Sequence, residues 1–375
     1  MADNAGSSWG EIRSYCDKVM LFVTIVLFGL GVAAVYSASS SMSLSTATVA
    51  AASFTTRQLM WGAVAAVVYV FILKIGYRKI IAMAVPLFVL LLVMLILLLI
   101  VGHTSKGAQS WFNMGFLRVQ PSEPGKVIFA LVMARLCIKI PPVDIKGLCS
   151  ALVLAGCVIL LILIQPDLGS SLVYSVMLIA VLITAGTPLK YLARMGVAGL
   201  SLLPVGWMVL KPYQRMRLLV FIDPSADPQG AGYNVIQSRI AVGSGGLFGK
   251  GFMHGTQGKL HFLPEPHTDF IFSVFSEEFG FIGCTFVLIL FAVLLWKILK
   301  TAQYTKDPEA KVMIAAIAAW LWFQITESVA MSMGLAPVTG LPLPLFSYGG
   351  SSLLAVAVGL ALVQSVAVVE RADRF

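Results

Sequence analysis

The sequence predicts an all-α, polytopic membrane protein. Hydrophobic residues make up 59% of its 375 residues, charged residues make up only 11%, and the mean hydropathy is +0.92. Soluble domains carry about 25% charged residues. Because a soluble domain of ordinary size has no room outside the apolar runs, residues 1–375 are predicted to form a single membrane domain.

About ten apolar runs are long enough, or nearly so, for a helix that crosses a bilayer with about 20 residues. They lie at 19–36, 59–73, 80–101, 127–137, 148–164, 171–186, 191–210, 279–299, 312–334 and 352–369. The fourth run is short for a bilayer, but a helix that starts near Ser122 is long enough. The first run exceeds the apolar region of a secretory signal and precedes nine others, so it is predicted to be an uncleaved helix.

The distribution of lysine and arginine predicts the orientation, because cytoplasmic connections retain positive charge. Every second connection carries such residues, whereas the connections 165–170 and 335–350 carry none. Both termini are therefore predicted to be cytoplasmic. On the same grounds 211–268 is a large extracytoplasmic loop that precedes the eighth helix.

Ten cations lie on the predicted outer side, where this rule discourages them. They are Arg57, Lys106, Arg118, Lys126, Lys211, Arg215, Arg217, Arg239, Lys250 and Lys259. Long loops cross the membrane regardless of charge, which is one interpretation; the other is a site for a phosphate or diphosphate. Cytoplasmic topology accounts for more than half of the cations behind the net charge of +9, which excludes nucleic acid as a partner.

An ionisable pair at the start of the eighth span is the strongest indication of a functional site. His267 and Asp269 lie in the stretch FLPEPHTDFIF, which leads into the eighth apolar run. An ionisable group at the end of a membrane helix is expensive to desolvate, so it indicates function with a partner nearby.

A second group of candidates lies between the third and fourth spans. Glu123 and Lys126 are three residues apart, which places them on one helix face as an ion pair that is either structural or functional. Trp111 is either an interfacial anchor or a substrate contact. Asp167, in the next outer connection, either caps a helix or binds a ligand.

Two further features exclude other chemistry. The five cysteines are odd in number and show no CxxC spacing, so neither a disulfide framework nor a metal site is predicted. The glycine-rich stretch 243–259 departs from a Walker A pattern at Ser244 and Gly251. Its glycines permit tight turns and a close backbone approach to a ligand or to neighbouring helices.

Several of these motifs together resemble the SEDS family (shape, elongation, division and sporulation) over essentially the whole chain. The resemblance rests on six stretches: 120–126, QPDLG at 165–169, DPSADPQGAGYNVIQS at 223–238, GSGGLFGKG with HGTQ at 243–257, LPEPHTDFIF at 263–272 and PLPLFSYGGSS at 342–352. The HGTQ motif favours the elongation branch of the family over the division branch.

The resemblance implies ten transmembrane helices similar to the C-type glycosyltransferases, in the bacterial inner membrane. It implies a peptidoglycan glycosyltransferase that polymerises lipid II into a glycan strand, with a class B penicillin-binding protein as transpeptidase partner and other elongation-complex membrane proteins. Asp269 matches the family's essential acid, and Glu123 and Lys126 match its acid and lysine pair. The chain departs from the usual pattern at Ser110, Pro124, Gly125 and Pro266, which bears on substrate contacts.

The chemistry that follows is a hypothesis about named residues. Asp269 is the general base for the acceptor hydroxyl, and Lys126, Arg215 or Arg217 stabilises the leaving diphosphate. A divalent cation could share that role, although no ligand cluster demands one. His267 either positions Asp269 or caps a helix. A lipid II flippase and a non-catalytic scaffold remain as alternatives.

Overall fold

The computed structural model describes residues 14–40, 47–105, 108–114, 117–227, 230–259, 262–263 and 265–373. Its helices, in chain order, are α1 (Lys18–Ser40), α2 (Ala47–Ile75), α3 (Tyr77–Ala82), α4 (Ala84–Val101), α5 (Ser122–Lys139), α6 (Ile145–Ile164), α7 (Leu168–Thr184), α8 (Leu189–Val209), α9 (Pro212–Ile222), α10 (Ala231–Ser244), α11 (Thr256–Lys259), α12 (Ile271–Tyr304), α13 (Pro308–Met333) and α14 (Gly350–Ala372).

Ten of these helices occupy the ten predicted spans in the predicted order, which confirms an all-α polytopic membrane fold. Within the described residues, seven helices are long and apolar enough to cross a membrane, and α7 is apolar but shorter. The fourth predicted span does begin at Ser122, as α5. Its charged residues, Glu123, Lys126 and Arg135 among them, lower its hydropathy below that of its neighbours.

The centre of the bundle is formed by α13 and α14. Helix α14 packs on α2, and α13 packs on α5, α7 and α12. Both central helices bury residues on several faces, as expected for helices enclosed by other helices. Because α13 contacts several helices, its polar side chains can join elements that are distant in sequence.

Helix α12 is broken near its start. Gly280 has φ 63° and ψ −164°, a conformation that a residue with a Cβ atom rarely adopts. The glycine-rich segment 246–251 supplies the missing partners: two of its carbonyls accept from N–H groups after the break at 2.9 and 3.1 Å, and two of its N–H groups donate to carbonyls before it at 3.0 and 2.9 Å. Irregular backbone at membrane depth needs such protein partners, and the predicted close approach to a neighbouring helix is confirmed.

Two regions between the predicted spans contain regular structure that the sequence did not predict. Three short antiparallel strands, β1 (His103–Ser105), β2 (Ala108–Met114) and β3 (Leu117–Val119), lie between α4 and α5. The described part of 211–268 is mostly helical, with α9, α10, α11 and a 3-10 turn at Pro224–Ala226. Strands β1 and β3 have only three residues each, and the sequence of β2, AQSWFNM, does not alternate strictly between apolar and polar residues.

The bundle has two ends, which we call the terminal face and the site face. The terminal face carries Asp17 and Arg371, whose side chains form an ion pair of 2.6 Å at the two described ends of the chain. The site face carries the start of α12, 34 residues from its other end at Tyr304. The part of α12 after its break, residues 281–304, alone spans about 36 Å at 1.5 Å per residue.

Candidate functional site

Asp269 lies on the site face, two residues before α12, and its side chain is half-buried. Its Oδ2 atom is 3.8 Å from the position that a Cβ atom would take at Gly340. Gly340 has φ 76°, in the left-handed region that favours glycine. The carboxylate therefore faces the connection 335–349 between α13 and α14. The backbone of this connection can approach Asp269 closely because Gly340 has no side chain.

The residues before Asp269 are hydrogen-bonded to this same connection. The backbone N–H of Tyr348 donates to the carbonyl of His267 at 3.0 Å, and the Ser347 hydroxyl donates to the carbonyl of Thr268 at 2.8 Å. Gln58 of α2 donates in turn to the carbonyl of Ser347 at 3.2 Å. The connection 335–349, itself held by α2, thus fixes the backbone from which Asp269 projects.

His267 contributes its ring to an aromatic cluster. The ring centroid lies 4.5 Å from that of Phe54 and 5.8 Å from that of Tyr348, and the side chain is buried. Its Nε2 atom is 3.9 Å from a carboxylate oxygen of Glu265. Both the positioning of Asp269 and substrate binding by His267 stay predictions.

Glu123 and Lys126 form the ion pair that their spacing predicts. The Lys126 ammonium lies 2.6 Å from Glu123 Oε1, and the exposed fractions of the two side chains are 0% and 3%. It also donates to Gln324 Oε1 at 3.0 Å and lies 5.4 Å from the ring centroid of Trp320. A buried charge is tolerable only when it is paired and hydrogen-bonded in this way.

Gln324 connects this pair to the connection that faces Asp269. Its Oε1 atom accepts from Trp320 Nε1 at 2.6 Å as well as from Lys126, and its amide nitrogen donates to the carbonyl of Pro342 at 2.7 Å. Pro342 is two residues after Gly340. Asp269 therefore lies next to Gly340, and the pair on α5 reaches Pro342 of the same connection through Gln324.

One carboxylate oxygen of the ion pair can still accept a hydrogen bond. Glu123 Oε2 is buried and has no hydrogen-bond partner among the described residues, and the same holds for the Ser122 hydroxyl. Buried polar groups nearly always have a partner, so an unpaired one needs an explanation such as a ligand, a water or an ion. Within the described residues, no group of three or more His, Cys, Asp or Glu could hold a metal ion.

Asp167 caps helix α7, which is the simpler of its two predicted roles. Its carboxylate accepts from the backbone N–H and the hydroxyl of Ser170 at 3.0 and 2.8 Å. Gln120 also donates to it at 3.1 Å. Burial raises the pKa of Asp167, against the lowering effect of the Ser170 hydrogen bonds and the Lys126 charge. Asp167 is thus a neighbour of the Glu123 and Lys126 pair.

Arg215 and Arg217, both on α9, reach different places. Arg217 donates to the carbonyl of Val338, in the 335–349 connection, at 3.3 Å, and stacks on Tyr213 at 5.7 Å. Arg215 donates to the carbonyl of Met208, near the end of α8, at 2.7 Å. Arginine near a helix C-terminus stabilises the last carbonyls. Arg217 is therefore the one of the two that borders the connection facing Asp269.

Trp111 lies in β2, opposite His103 of β1, and its side chain is half-buried. Strand β2 packs on α4. This position on the site face is compatible with both of its predicted roles, and substrate contact by Trp111 stays a prediction.

Sequence reasoning missed the polar residues of α13. Gln324 joins the two groups described above, and Glu327, one turn later, accepts from the hydroxyl of Thr339 at 3.0 Å. Both are buried. The available signal was a glutamine and a glutamate three residues apart within an apolar span, because polar and ionisable residues inside a membrane are expensive and usually functional.

These features together define a polytopic membrane protein that holds a half-buried carboxylate and a buried ion pair at one end of its helix bundle. The chain belongs to the FtsW, RodA and SpoVE family of cell cycle proteins, whose family model matches residues 17–372. This confirms the resemblance to the SEDS family drawn from the motifs.

Relatives from several bacteria match along nearly the whole chain. The peptidoglycan glycosyltransferase MrdB of Escherichia coli K12 is 37% identical over 98% of this chain and 97% of its own. Stage V sporulation protein E of Bacillus subtilis is 35% identical over 92% and 96%. A probable peptidoglycan glycosyltransferase FtsW of Geobacter sulfurreducens is 36% identical over 96% and 97%.

Solved structures share the fold. A chain from a peptidoglycan synthase complex that coordinates polymerization and crosslinking has a TM-score of 0.79 and 31% identity, over 96% of this chain and 98% of that one. The rod shape determining protein RodA of Thermus thermophilus has a TM-score of 0.70 and 28% identity, over the same shares.

Proposed function

We propose that the protein is a peptidoglycan glycosyltransferase that polymerises lipid II into glycan strands during cell elongation. The observation that carries the proposal is the 37% identity to the glycosyltransferase MrdB over 98% of the chain, together with a carboxylate, Asp269, at the predicted position. The matched relatives include both elongation and division members, so an FtsW-type division polymerase is the alternative.

The proposed reaction joins two substrate molecules. The 4-hydroxyl of the acceptor lipid II attacks the anomeric carbon of the donor glycan strand, the new glycosidic bond forms, and the bond to the donor's lipid diphosphate breaks. Asp269 takes the hydroxyl proton as the bond forms. General-base assistance of this kind contributes roughly 10² to 10⁴ in rate. An inverting displacement needs a base on the attacking side and no carboxylate nucleophile.

The leaving diphosphate needs positive charge, and Arg217 is the best placed of the three predicted cations. It borders the connection that faces Asp269, whereas Arg215 donates to the end of α8. The Lys126 ammonium already donates to Glu123 and Gln324. It would act mainly through its field, which is stronger in a site of low dielectric. A divalent cation that shares this role stays a prediction.

The proposed setting is the bacterial inner membrane, with both termini in the cytoplasm. The terminal face then lies in the cytoplasm and the site face outside, where lipid II is polymerised. The alternation of lysine and arginine along the chain supports this orientation. A class B penicillin-binding protein is the proposed transpeptidase partner, alongside other elongation-complex membrane proteins, and a similar chain has been solved within a peptidoglycan synthase complex.

A polymerase can be separated from a flippase in detergent, where there is no membrane to cross. Labelled lipid II would be given to the purified protein with its transpeptidase partner, and products would be separated on a gel. We expect polymer from the wild type and from Asp223→Asn, a matched change at an exposed outer acid, but not from Asp269→Asn. Absence of polymer from the wild type would contradict the proposal and favour transport or a scaffold.

A further inference from the structure

A cavity with several charged side chains in its wall lies on the terminal face, far from the candidate site. Its volume is about 150 Å³, and its lining includes Asp17, Lys297, Lys300, Tyr304, Glu370 and Arg371. The cavity is bounded by the last turns of α12 and α14 and by the chain just before α1. None of these residues has a role in the proposed polymerisation.

The lining has an excess of positive charge. Three cations face two carboxylates, and Asp17 binds Lys297 at 2.9 Å and Arg371 at 2.6 Å. The second carboxylate, Glu370, accepts from the Thr305 hydroxyl and from a backbone N–H at 2.8 Å each, so these bonds hold it toward the turn after α12. One positive charge therefore remains without an acid to balance it.

Lys300 carries this remaining charge at the edge of the cavity. Its ammonium lies 4.9 Å from the ring centroid of Trp296 and 5.9 Å from that of Tyr304. Both rings are about half exposed, at 55% and 51%. Tryptophan and tyrosine favour the headgroup level of a membrane, so the cavity opens where lipid phosphates lie.

The surface that leads to the cavity is apolar. Ile289, Trp296 and Lys300 follow one another on one face of α12, at spacings of seven and four residues. Ile289 is 54% exposed and Leu299, beside Lys300, is 49% exposed. Along this face an apolar side chain, aromatic rings and a cation therefore follow one another. A phospholipid presents its acyl chain, glycerol and phosphate in the same order.

We propose that this cavity binds the phosphate of an anionic phospholipid from the leaflet at the terminal face. Basic pockets between membrane helices bind acidic lipid headgroups in this manner. The phosphate accepts from Lys300 and the exposed side of Arg371, and its acyl chain lies along α12. A zwitterionic headgroup brings its own cation toward Lys297 and Arg371, so phosphatidylglycerol binds more tightly than phosphatidylcholine.

The test counts lipids bound to the full-length protein by native mass spectrometry. Detergent-purified protein is titrated with phosphatidylglycerol, with phosphatidylcholine, and with phosphatidylglycerol in the presence of inorganic phosphate. The variants are Lys300→Gln and the control Lys190→Gln. Lys190 lies at the same end of the bundle and also stacks on a tyrosine, at 5.1 Å from the Tyr191 centroid, but it does not line the cavity.

We expect wild type and Lys190→Gln to prefer phosphatidylglycerol, and Lys300→Gln to bind it about fivefold more weakly, from the loss of one cation near the headgroup. Inorganic phosphate should not displace the lipid. Equal binding by Lys300→Gln and wild type would overturn the proposal. Displacement of the lipid by inorganic phosphate would overturn the proposal that the bound phosphate belongs to a lipid, and would indicate a small-anion site. Lys300→Glu, a second variant, should weaken binding further.

Discussion

The buried ion pair between Glu123 and Lys126 is the least expected feature at the scale of single residues. Removing two charges from water costs several kcal/mol each, and their attraction compensates only with good geometry and further hydrogen bonds. Lys126 has these from Gln324, whereas Glu123 Oε2 is unpaired among the described residues. An arrangement that is only partly satisfied is poorly suited to stability alone and well suited to a site.

Single and double substitutions separate the two roles of this pair. Glu123→Gln or Lys126→Met alone should lower stability by about 3 to 5 kcal/mol, because each leaves a buried charge unpaired. The double variant should recover much of that stability and still fail to polymerise lipid II. Melting temperature in detergent and a polymerisation assay measure the two effects, with Lys311→Met, at an exposed lysine of α13, as control.

A double variant with full activity would contradict a functional role for the pair. A double variant as unstable as the sum of the singles would contradict the interpretation that the unpaired charge is what destabilises the singles.

The two arginines of α9 should differ in their effects. Arg217→Gln should lower kcat/KM for lipid II by about tenfold to 100-fold, since hydrogen bonds to charged groups contribute about 1.5 to 3 kcal/mol. Arg215→Gln should leave kcat/KM nearly unchanged and lower the melting temperature, because Arg215 donates to the end of α8. Steady-state kinetics on both variants is the measurement, and equal losses of kcat/KM would count against the distinction.

Part of the site could be predicted from single residues and part could not. Asp269, Glu123 and Lys126 stand out because charge is rare in apolar spans. Their connection through Gln324 and Pro342 could not be predicted, because it depends on how α5, α13 and the 335–349 connection pack. Arg215 and Arg217 look equivalent in sequence, and only the direction of each side chain separates them.

At the scale of elements, the broken helix α12 and the glycine-rich segment beside it form one unit. Each supplies backbone partners that the other lacks. Lys250, within that segment, also contacts the buried carboxylate of Glu277 on α12 at 2.7 Å. The backbone N–H and hydroxyl of Thr256 donate to the same oxygen at 2.8 Å each. The segment therefore fixes the helix whose start carries Asp269.

Two glycines of this segment provide a matched test. Gly249 and Gly246 both have positive φ, 77° and 55°, but a Cβ atom at Gly249 would overlap the carbonyl of Glu278, whereas nothing lies within 4 Å of one at Gly246. Gly246→Ala should cost only the strain of left-handed backbone, about 1 to 2 kcal/mol. Gly249→Ala should cost about 1 to 3 kcal/mol more, from overpacking.

Melting temperatures of the two purified glycine variants would measure this difference. Equal melting temperatures would show that the segment and α12 can separate at little cost, contrary to the close backbone contact described here.

The sequence predicted elements well where hydrophobicity decides and poorly where tertiary contacts decide. Ten apolar runs became ten helices, because each must satisfy its backbone internally in a membrane. The strands between α4 and α5 and the helices within 211–268 lack so strong a constraint. The break at Gly280 was also missed, because the apolar run continues through it and its partners lie 30 or so residues earlier.

At the scale of the whole molecule, a single carboxylate holds the two described ends of the chain together. Asp17 binds Lys297 of α12 and Arg371 of α14, and Arg371 also donates to the carbonyls of Tyr15 and Cys16 at 3.1 and 3.0 Å. Burial alone would raise the pKa of Asp17, but hydrogen bonds from Lys297 and the backbone, with the charges of Lys297 and Arg371, lower it below its ordinary value.

This cluster predicts a specific pH dependence of stability. A carboxyl group with a lowered pKa in the folded state stabilises the fold above its unfolded pKa of about 3.9, and this contribution is lost as the pH falls through the folded pKa. The difference in melting temperature between wild type and Asp17→Asn should be constant above about pH 5 and shrink in more acid solution. A difference that grows on acidification would contradict the assignment.

Asp17 forms structural charge pairs on the terminal face, and Asp269, the carboxylate to which we assign catalysis, lies on the site face. The measurement that tests this most directly is the rate of glycan polymerisation by Asp269→Asn, with lipid II binding measured on the same preparation. If Asp269 is the base, the rate should fall by roughly 10² to 10⁴ while binding is retained. A rate within a few-fold of wild type would place the base elsewhere, and loss of binding together with rate would make Asp269 a substrate contact instead.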